Sequence, residues 1–253
     1  MTSPIFYVSS DELQSVTSGQ LIAVQGVEGH HAKVVKRLEI GEAIDLADGK
    51  GTRAEAEVFS YLEDGLEVRV NTILHEEPST EIILVQALAK QDRDILAIET
   101  ATELGIWGVI PWSADRSIVR WKKERAVKAH TKWNNTVRAA AKQARRSWIP
   151  QVENLVSSHD LAERIAQEVT HGAMVIILHE QGTRLLTQHI SELESLPQRI
   201  YLVVGPEGGI SEQELEAFEK AGAAVCLLGE HVLRSSTAGS AALCVINTIS
   251  QIW

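Results

Sequence analysis

Two hydrophobic rhythms divide this chain. Up to about residue 72 the apolar residues come in short runs at 6–8, 20–24, 42–47 and 66–70, set apart by Gly19, Gly26, Gly41, Asp48-Gly49 and Asp64-Gly65. Turn residues at that density predict short strands closed into a small β-barrel, because each supplies a reversal that a run of strands needs. One helix is expected inside it, over 30–38, presenting His30, His31, Lys33 and Arg37 to one side. Glu76-Glu77-Pro78-Ser79 reads as a linker. After it apolar strands (82–88, 107–111, 173–179, 199–204, 223–228) alternate with amphipathic helices (92–104, about 122–146, 160–170, 185–193, 211–221, and 237 to the C-terminus). That alternation predicts an α/β domain with a mainly parallel sheet. The expected division is therefore a barrel over 1–72 and an α/β domain over 73–253.

Charge changes the picture more than composition does. The net charge is −10, which taken whole argues against a nucleic-acid partner. Yet the segment 116–146 holds 11 basic residues against the single acid Glu124, a local +10 that leaves −20 for the remainder. So one-sided a run repels itself unless a polyanion neutralises it, whereas an ordinary solvated helix face carries both signs. Trp107, Trp112, Trp121, Trp133 and Trp148 bracket or interrupt this run. Stacking on unpaired bases is one use for such residues, and packing the more frequent one, expected here for Trp107 and Trp112. The stretch 1–7 has no positive charge before its short apolar run, and no apolar stretch reaches the roughly 20 residues of a membrane span, so a cytoplasmic protein without a membrane partner is expected. Cys226 and Cys244 show no CxxC spacing and read as buried thiols. The His residues are scattered, and His30 and His31 on one helix diverge by about 100°, so no metal site is expected.

The most informative stretch is an apolar strand at 200–204 running into Gly205-Pro206-Glu207-Gly208-Gly209, with Ser211 and Glu214 spaced as a capping box for the next helix. Glycines let backbone approach a ligand closely. A dinucleotide site is disfavoured, since no G-x-G-x-x-G is present and Glu207 would repel a pyrophosphate. A ligand without phosphates fits better. A second stretch, 227–239, also follows a strand and precedes a helix, and two such loops would form one crevice. Ordinary strand-to-helix turns account for that spacing equally well.

These two stretches, with Lys90, Asp92 and Arg93, with 101–105 (Ala-Thr-Glu-Leu-Gly), with Gln143, Arg146 and Pro150, and with His30, His31, Val34, Arg37, Leu38 and Gly41, resemble the ribosomal RNA small-subunit methyltransferase E family over the whole chain. The resemblance implies a PUA-like barrel followed by a SPOUT methyltransferase domain whose C-terminal loops form a trefoil knot. It implies a homodimer that uses S-adenosylmethionine to methylate N3 of a uridine in 16S RNA of the small ribosomal subunit. The cofactor would lie against Leu178, Val204, Gly205, Pro206, Glu207, Gly208, Gly209, Leu228, Gly229, Val232, Leu233, Ser235, Thr237 and Ala238. RNA would meet His30, His31, Arg37, Lys90, Arg93, Arg116, Arg120, Lys122, Lys123, Arg145 and Arg146. The chain departs from the family pattern at Ser236, where a Glu is usual, and at Thr100, where a Lys is common; an Arg often found ahead of the first strand is also absent.

For methyl transfer the acceptor must be aligned and electron-rich. Loss of the N3 proton leaves negative charge shared with O2 and O4, so Arg234 is the candidate to stabilise that anion and Glu207 the candidate base or orienting group. Arg234 holding a carboxylate or phosphate, and Glu207 capping backbone, are the plainer alternatives. Two rivals to the whole assignment stand: a SPOUT enzyme acting on a ribose 2′-hydroxyl, and a non-catalytic RNA-binding assembly factor.

Overall fold

The computed structural model describes residues 3–252, so the predicted readings at Met1, Thr2 and Trp253 lie outside the described residues. The chain forms two compact units, one taking the residues up to Pro78 together with Ala141–Ile149, the other Ser79–Ala140 and the chain from Pro150.

The first unit is a five-stranded sheet of β1 (Ile5–Tyr7), β2 (Leu21–Gln25), β3 (Ala43–Ala47), β4 (Thr52–Leu62) and β5 (Gly65–His75), ordered β1-β3-β4-β5-β2. β1 runs parallel to β3 and the other pairs are antiparallel. Its core is built from Phe6, Ile22, Val24, Ile44, Leu46, Val58, Leu66, Val68 and Val70, with Leu13 from α1 (Ser10–Gln14). Gly65 has φ +131°, and a Cβ there would lie 2.0 Å from the Val24 carbonyl oxygen, so only glycine lets β5 close on β2. The helix predicted over 30–38 begins earlier, as α2 (Gly26–His30), and continues as a π turn over His31–Val35. Arg37 at φ 54° ends it and turns Leu38 into the core. Ala141–Ile149 is held by the Lys142 ammonium, which donates to Glu28 Oε2 at 2.5 Å and His31 Nδ1 at 3.0 Å. The Tyr7 hydroxyl donates to the Arg146 carbonyl, and Trp148 Nε1 to the Glu76 carbonyl, both at 2.8 Å.

The second unit contains an eight-stranded, all-parallel sheet. In chain order it comprises β6 (Glu81–Ala87), α3 (Arg93–Glu103), β7 (Gly108–Ser113), α4 (Glu124–Gln143), β8 (Gln151–Val152), β9 (Val156–Ser157), α5 (Ser158–Thr170), β10 (Met174–Leu178), β11 (Arg184–Leu185), α6 (Leu186–Ser191), β12 (Arg199–Val204), α7 (Glu212–Lys220), β13 (Ala224–Leu227) and α8 (Ser235–Ile249); only the last three residues of α4 belong to the first unit. The strands lie in the order β11-β13-β10-β12-β6-β7-β8, with β9 also on β7. One face buries Ile83, Val85, Ile110, Trp112, Ile177, Tyr201 and Val203 together with Leu161 and Ile165 of α5 and Phe218 of α7. On the other face α8 lies so close to the sheet that a Cβ on Gly239 would be 2.9 Å from Leu84 Cδ1. The predicted helix over 122–146 is shortened to α4, with Lys123 (φ 50°) and Arg145 (φ 55°) in left-handed conformation just outside its ends. α8 starts two residues before the predicted 237, with Arg234 as its N-cap.

Candidate cofactor and RNA-binding site

Parallel pairing decides what meets at the carboxyl edge of the sheet. Leu178 is in register with Val204 and Cys226, and Val204 with Gln86, so the segments leaving β10, β12, β13 and β6 emerge side by side. That edge is where open α/β sheets bind ligands. A cavity of about 400 Å³ lies there, walled by Leu178, residues 204–210 and 232–235, and Ala238, with Arg93, His179 and Glu180. A recess of about 140 Å³, formed by residues 227–233, shares Leu178, His179, Glu180, Val232, Leu233 and Ala238 with it. Every residue assigned to the cofactor from the sequence lines one or other cavity except Thr237, which is exposed and whose amide caps onto the Arg234 carbonyl at 2.8 Å.

The Gly-rich turn is held from several sides. Gly209 N donates to Pro206 O at 2.9 Å, with Gly209 at φ +72°. Glu207 Oε1 accepts from the Lys90 amide at 3.0 Å and from Arg93 Nη1 at 3.2 Å. Arg116 Nη1 donates to Gly208 O at 3.2 Å and Ile210 O at 3.4 Å. The capping box forms as predicted, and its Glu214, buried, accepts in addition from Asp115 N at 2.7 Å and the Ser158 hydroxyl at 2.5 Å. Glu207 thus has one oxygen occupied by a cation and an amide, the arrangement of a group that orients a loop. Arg234 is the opposite case. It is exposed at the cavity mouth, and among the described residues its guanidinium meets no carboxylate.

His179 and Glu180 were not singled out by the sequence, although a His closing an apolar strand run was the available signal. His179 is buried, and its Nδ1 accepts from Gln181 N at 3.2 Å. Gly182 was missed too: a Cβ there would come within 2.8 Å of the Cys226 carbonyl carbon.

The RNA candidates are not brought into one unit. Lys90, Arg93, Arg116, Arg120, Lys122 and Lys123 belong to the second unit; His30, His31, Arg37, Arg145 and Arg146 belong to the first. Lys122 and Lys123 are fully available. Arg120 spends three of its five donors on Ser113 Oγ, Ala114 O and Asp115 O. His30 and Arg37 are exposed, whereas His31 is half-buried with Nδ1 engaged by Lys142. Burial pulls the Arg146 guanidinium down to about 10, still cationic at neutral pH. Trp112 and Trp133 are buried and Trp121 packs edge-on against Trp133 at 5.3 Å, so these rings serve packing. Among the described residues no cluster of His, Cys, Asp and Glu could hold a metal, and no helix is long and apolar enough to cross a membrane.

Residues 75–247 match the family model of an RNA methyltransferase domain, and residues 24–70 that of an RNA methyltransferase PUA domain. A Mycobacterium bovis protein named ribosomal RNA small subunit methyltransferase E is 39% identical over all of this chain and 94% of its own length. The chain belongs to the ribosomal RNA small subunit methyltransferase E family. Its Bacillus subtilis relative of the same name is 28% identical, with 94% of each chain covered. The Neisseria gonorrhoeae enzyme of that name, solved with S-adenosyl methionine bound, superposes with a TM-score of 0.81 at 26% identity, covering 98% of each chain. The cavity suits that cofactor. Its volume is in the range of small-molecule clefts, Leu178, Leu233 and Ala238 supply apolar walls, and the adjoining recess adds Leu228 and Gly229, where a Cβ would meet no protein atom within 4 Å.

Proposed function

We propose that this protein uses S-adenosylmethionine to methylate N3 of a uridine in 16S RNA of the small ribosomal subunit, acting in the cytoplasm. The observation that carries the reading is Arg234, exposed and without a carboxylate partner among the described residues, at the mouth of the glycine-walled cavity of a methyltransferase E family chain. Bound cofactor supplies an electrophilic methyl group. Leu178, Gly205, Gly208, Gly209, Leu228, Gly229 and Leu233 hold it, and Glu207, fastened to Arg93 and Lys90, keeps the glycine turn in shape. Arg234 stabilises the charge that spreads over N3, O2 and O4 of the uracil as solvent takes its proton and N3 takes the methyl group, a task suited to a planar fork of donors. With no partner for its guanidinium among the described residues, it incurs no cost of exchanging an internal partner for the substrate.

The segments 178–182, 205–210 and 228–234 are read as the threaded loops of a trefoil knot. The chain works as a homodimer: α8 leaves Thr237 and Thr248 exposed and Ser240, Ala241, Cys244 and Val245 partly so, a small-residue face onto which a second copy can pack closely. Lys122 and Lys123 meet RNA phosphates from the second unit, and His30, Arg37 and the free edge of His31 from the first.

The test is to incubate the protein with methyl-labelled S-adenosylmethionine and small subunits, or naked 16S RNA, lacking the modification, and to digest the RNA to nucleosides. Labelled 3-methyluridine is expected. A labelled 2′-O-methyl nucleoside would favour the ribose-methylating rival, and cofactor binding without incorporation into either substrate would favour the assembly-factor rival.

A further inference from the structure

β6 buries six residues in succession from Ile82 through Ala87, and Gln86 is the one polar member, with no exposed surface. It shares a sheet face with Leu84, the residue on which Gly239 of α8 is seated. Ser235 lies one helical turn before Gly239, as Gln86 lies two strand residues beyond Leu84. Four helical residues rise about 6 Å and two strand residues about 6.6 Å, so the two ladders match and Ser235 falls over Gln86. Gln86 Nε2 donates to Ser235 Oγ at 2.8 Å and to the Ala87 carbonyl at 3.2 Å. Oε1 has no donor among the described residues. An amide buried with an unfilled acceptor is unfavourable, and an apolar side chain of the same shape would suit this face better. Such a cost beside a cleft marks a residue held there for its hydrogen bond.

What that bond fixes is the first residue of α8. The Ser235 side chain makes no other hydrogen bond among the described residues, and no side chain caps the helix start. Ser235 follows Arg234 directly and lines the same cavity. We infer that Gln86 is a positioning residue for methyl transfer: through the Ser235 hydroxyl it sets the height and rotation of the α8 start, and with it the direction in which Arg234 leaves the chain. The inference rests on the placement of Arg234 at the reacting base given above. Because Gln86 lies beneath the helix start and outside the cavity lining, its loss misaligns the reaction while leaving cofactor binding nearly intact.

Gln86→Met, close in shape but without the amide, is compared with the wild-type protein by thermal melting, by calorimetry with S-adenosylmethionine and by kcat and KM. The melting temperature should hold or rise, the cofactor Kd should stay within threefold, and kcat should fall about tenfold, the scale of a modest misalignment. Ser235→Ala should give the same loss of kcat, Ser235→Thr, which keeps the hydroxyl, should recover most of it, and the Gln86→Met/Ser235→Ala pair should be no worse than either single change. A kcat within twofold of wild type in well-folded Gln86→Met overturns the inference, as does a loss of kcat that only tracks lost stability or lost cofactor affinity. If Gln86→Met does not fold, Ser235→Ala decides, and normal turnover there overturns it. The two readings fail separately: a silent Arg234→Ala beside an impaired Gln86→Met removes the role of Arg234 and leaves Gln86 acting through Ser235 alone.

Discussion

The turn at 205–210 walls the larger cavity and the loop at 228–233 forms the recess that adjoins it, reaching the larger cavity at Val232 and Leu233, yet the two are built on different principles. The turn is bonded from the Lys90 amide between β6 and α3, from Arg93 of α3 and from Arg116, and a left-handed glycine shapes it. The loop makes no hydrogen bond from 228 to 233 among the described residues, and Val232 is 80% exposed. A wall tied on several sides is already shaped for its ligand; a wall without internal bonds orders when the ligand arrives. Affinity should therefore depend on the first wall, while the residue acting on the substrate follows the second, at Arg234.

The largest expected effect tests that division. Arg234→Ala should lower kcat about a hundredfold, the usual scale for one preorganised charge, with the calorimetric Kd for S-adenosylmethionine changed less than about threefold. Lys at this position should recover only part, because an ammonium cannot span two acceptors as a guanidinium does. Glu207→Gln should do the reverse. Weakening a charge-assisted pair should raise the cofactor Kd by about tenfold, with kcat at saturating cofactor nearly unchanged. A hundredfold loss of kcat at constant Kd would instead make Glu207 the base and erase the contrast between the walls.

Much of this could be read in the sequence, and the gaps have physical causes. β12 appears with its predicted ends, 199–204, because the apolar run stops at a Gly-Pro pair that cannot continue a strand. The Ser211–Glu214 box was legible because it is local. β4 was not expected although Thr52, Ala54, Ala56 and Val58 alternate with Arg53, Glu55 and Glu57; two of the inward residues are alanines, too small to register as an apolar face. The return of Ala141–Ile149 to the first unit had no local signal, since the contacts that hold it, Lys142 with Glu28 and Tyr7 with Arg146, span more than a hundred residues. For the same reason Glu207 was a candidate base in the sequence, its hold on Arg93 and Lys90 being 114 and 117 residues away.

Smaller effects sharpen the comparison. Lys122→Glu with Lys123→Glu should make the dependence of log affinity for RNA on log salt shallower by roughly 1.4–1.8 for two lost phosphate contacts, and calorimetry should find cofactor affinity unchanged. Arg120 is a poor choice for that test, since reversing it would also strip three acceptors of their donor. His31 offers a check within the first unit. Burial, then the neighbouring Lys142, holds its imidazole below the ordinary 6.5. The folded state thus takes up the proton less readily than the unfolded one, so its stabilising contribution is present above pH 6.5 and is lost as pH falls below it. Melting curves of His31→Gln should show a flatter decline on that acid side than wild type. Smallest of all, Gly209→Ala on the tied wall, at φ +72°, should cost on the order of 1 kcal/mol and a few degrees in Tm. Val232→Ser on the untied wall should leave Tm where it is.

The pH dependence of turnover by Arg234→Ala beside wild type, at saturating cofactor and RNA, tests most directly that this guanidinium stabilises the N3 anion of a uracil. If it does, raising the pH lets solvent remove more of the N3 proton, and the roughly hundredfold deficit at neutral pH should narrow steadily toward alkaline conditions. A deficit that stays constant across the range, or turnover near wild type at neutral pH in a folded protein, would contradict the account and leave Arg234 as a residue that only holds RNA or loop in place.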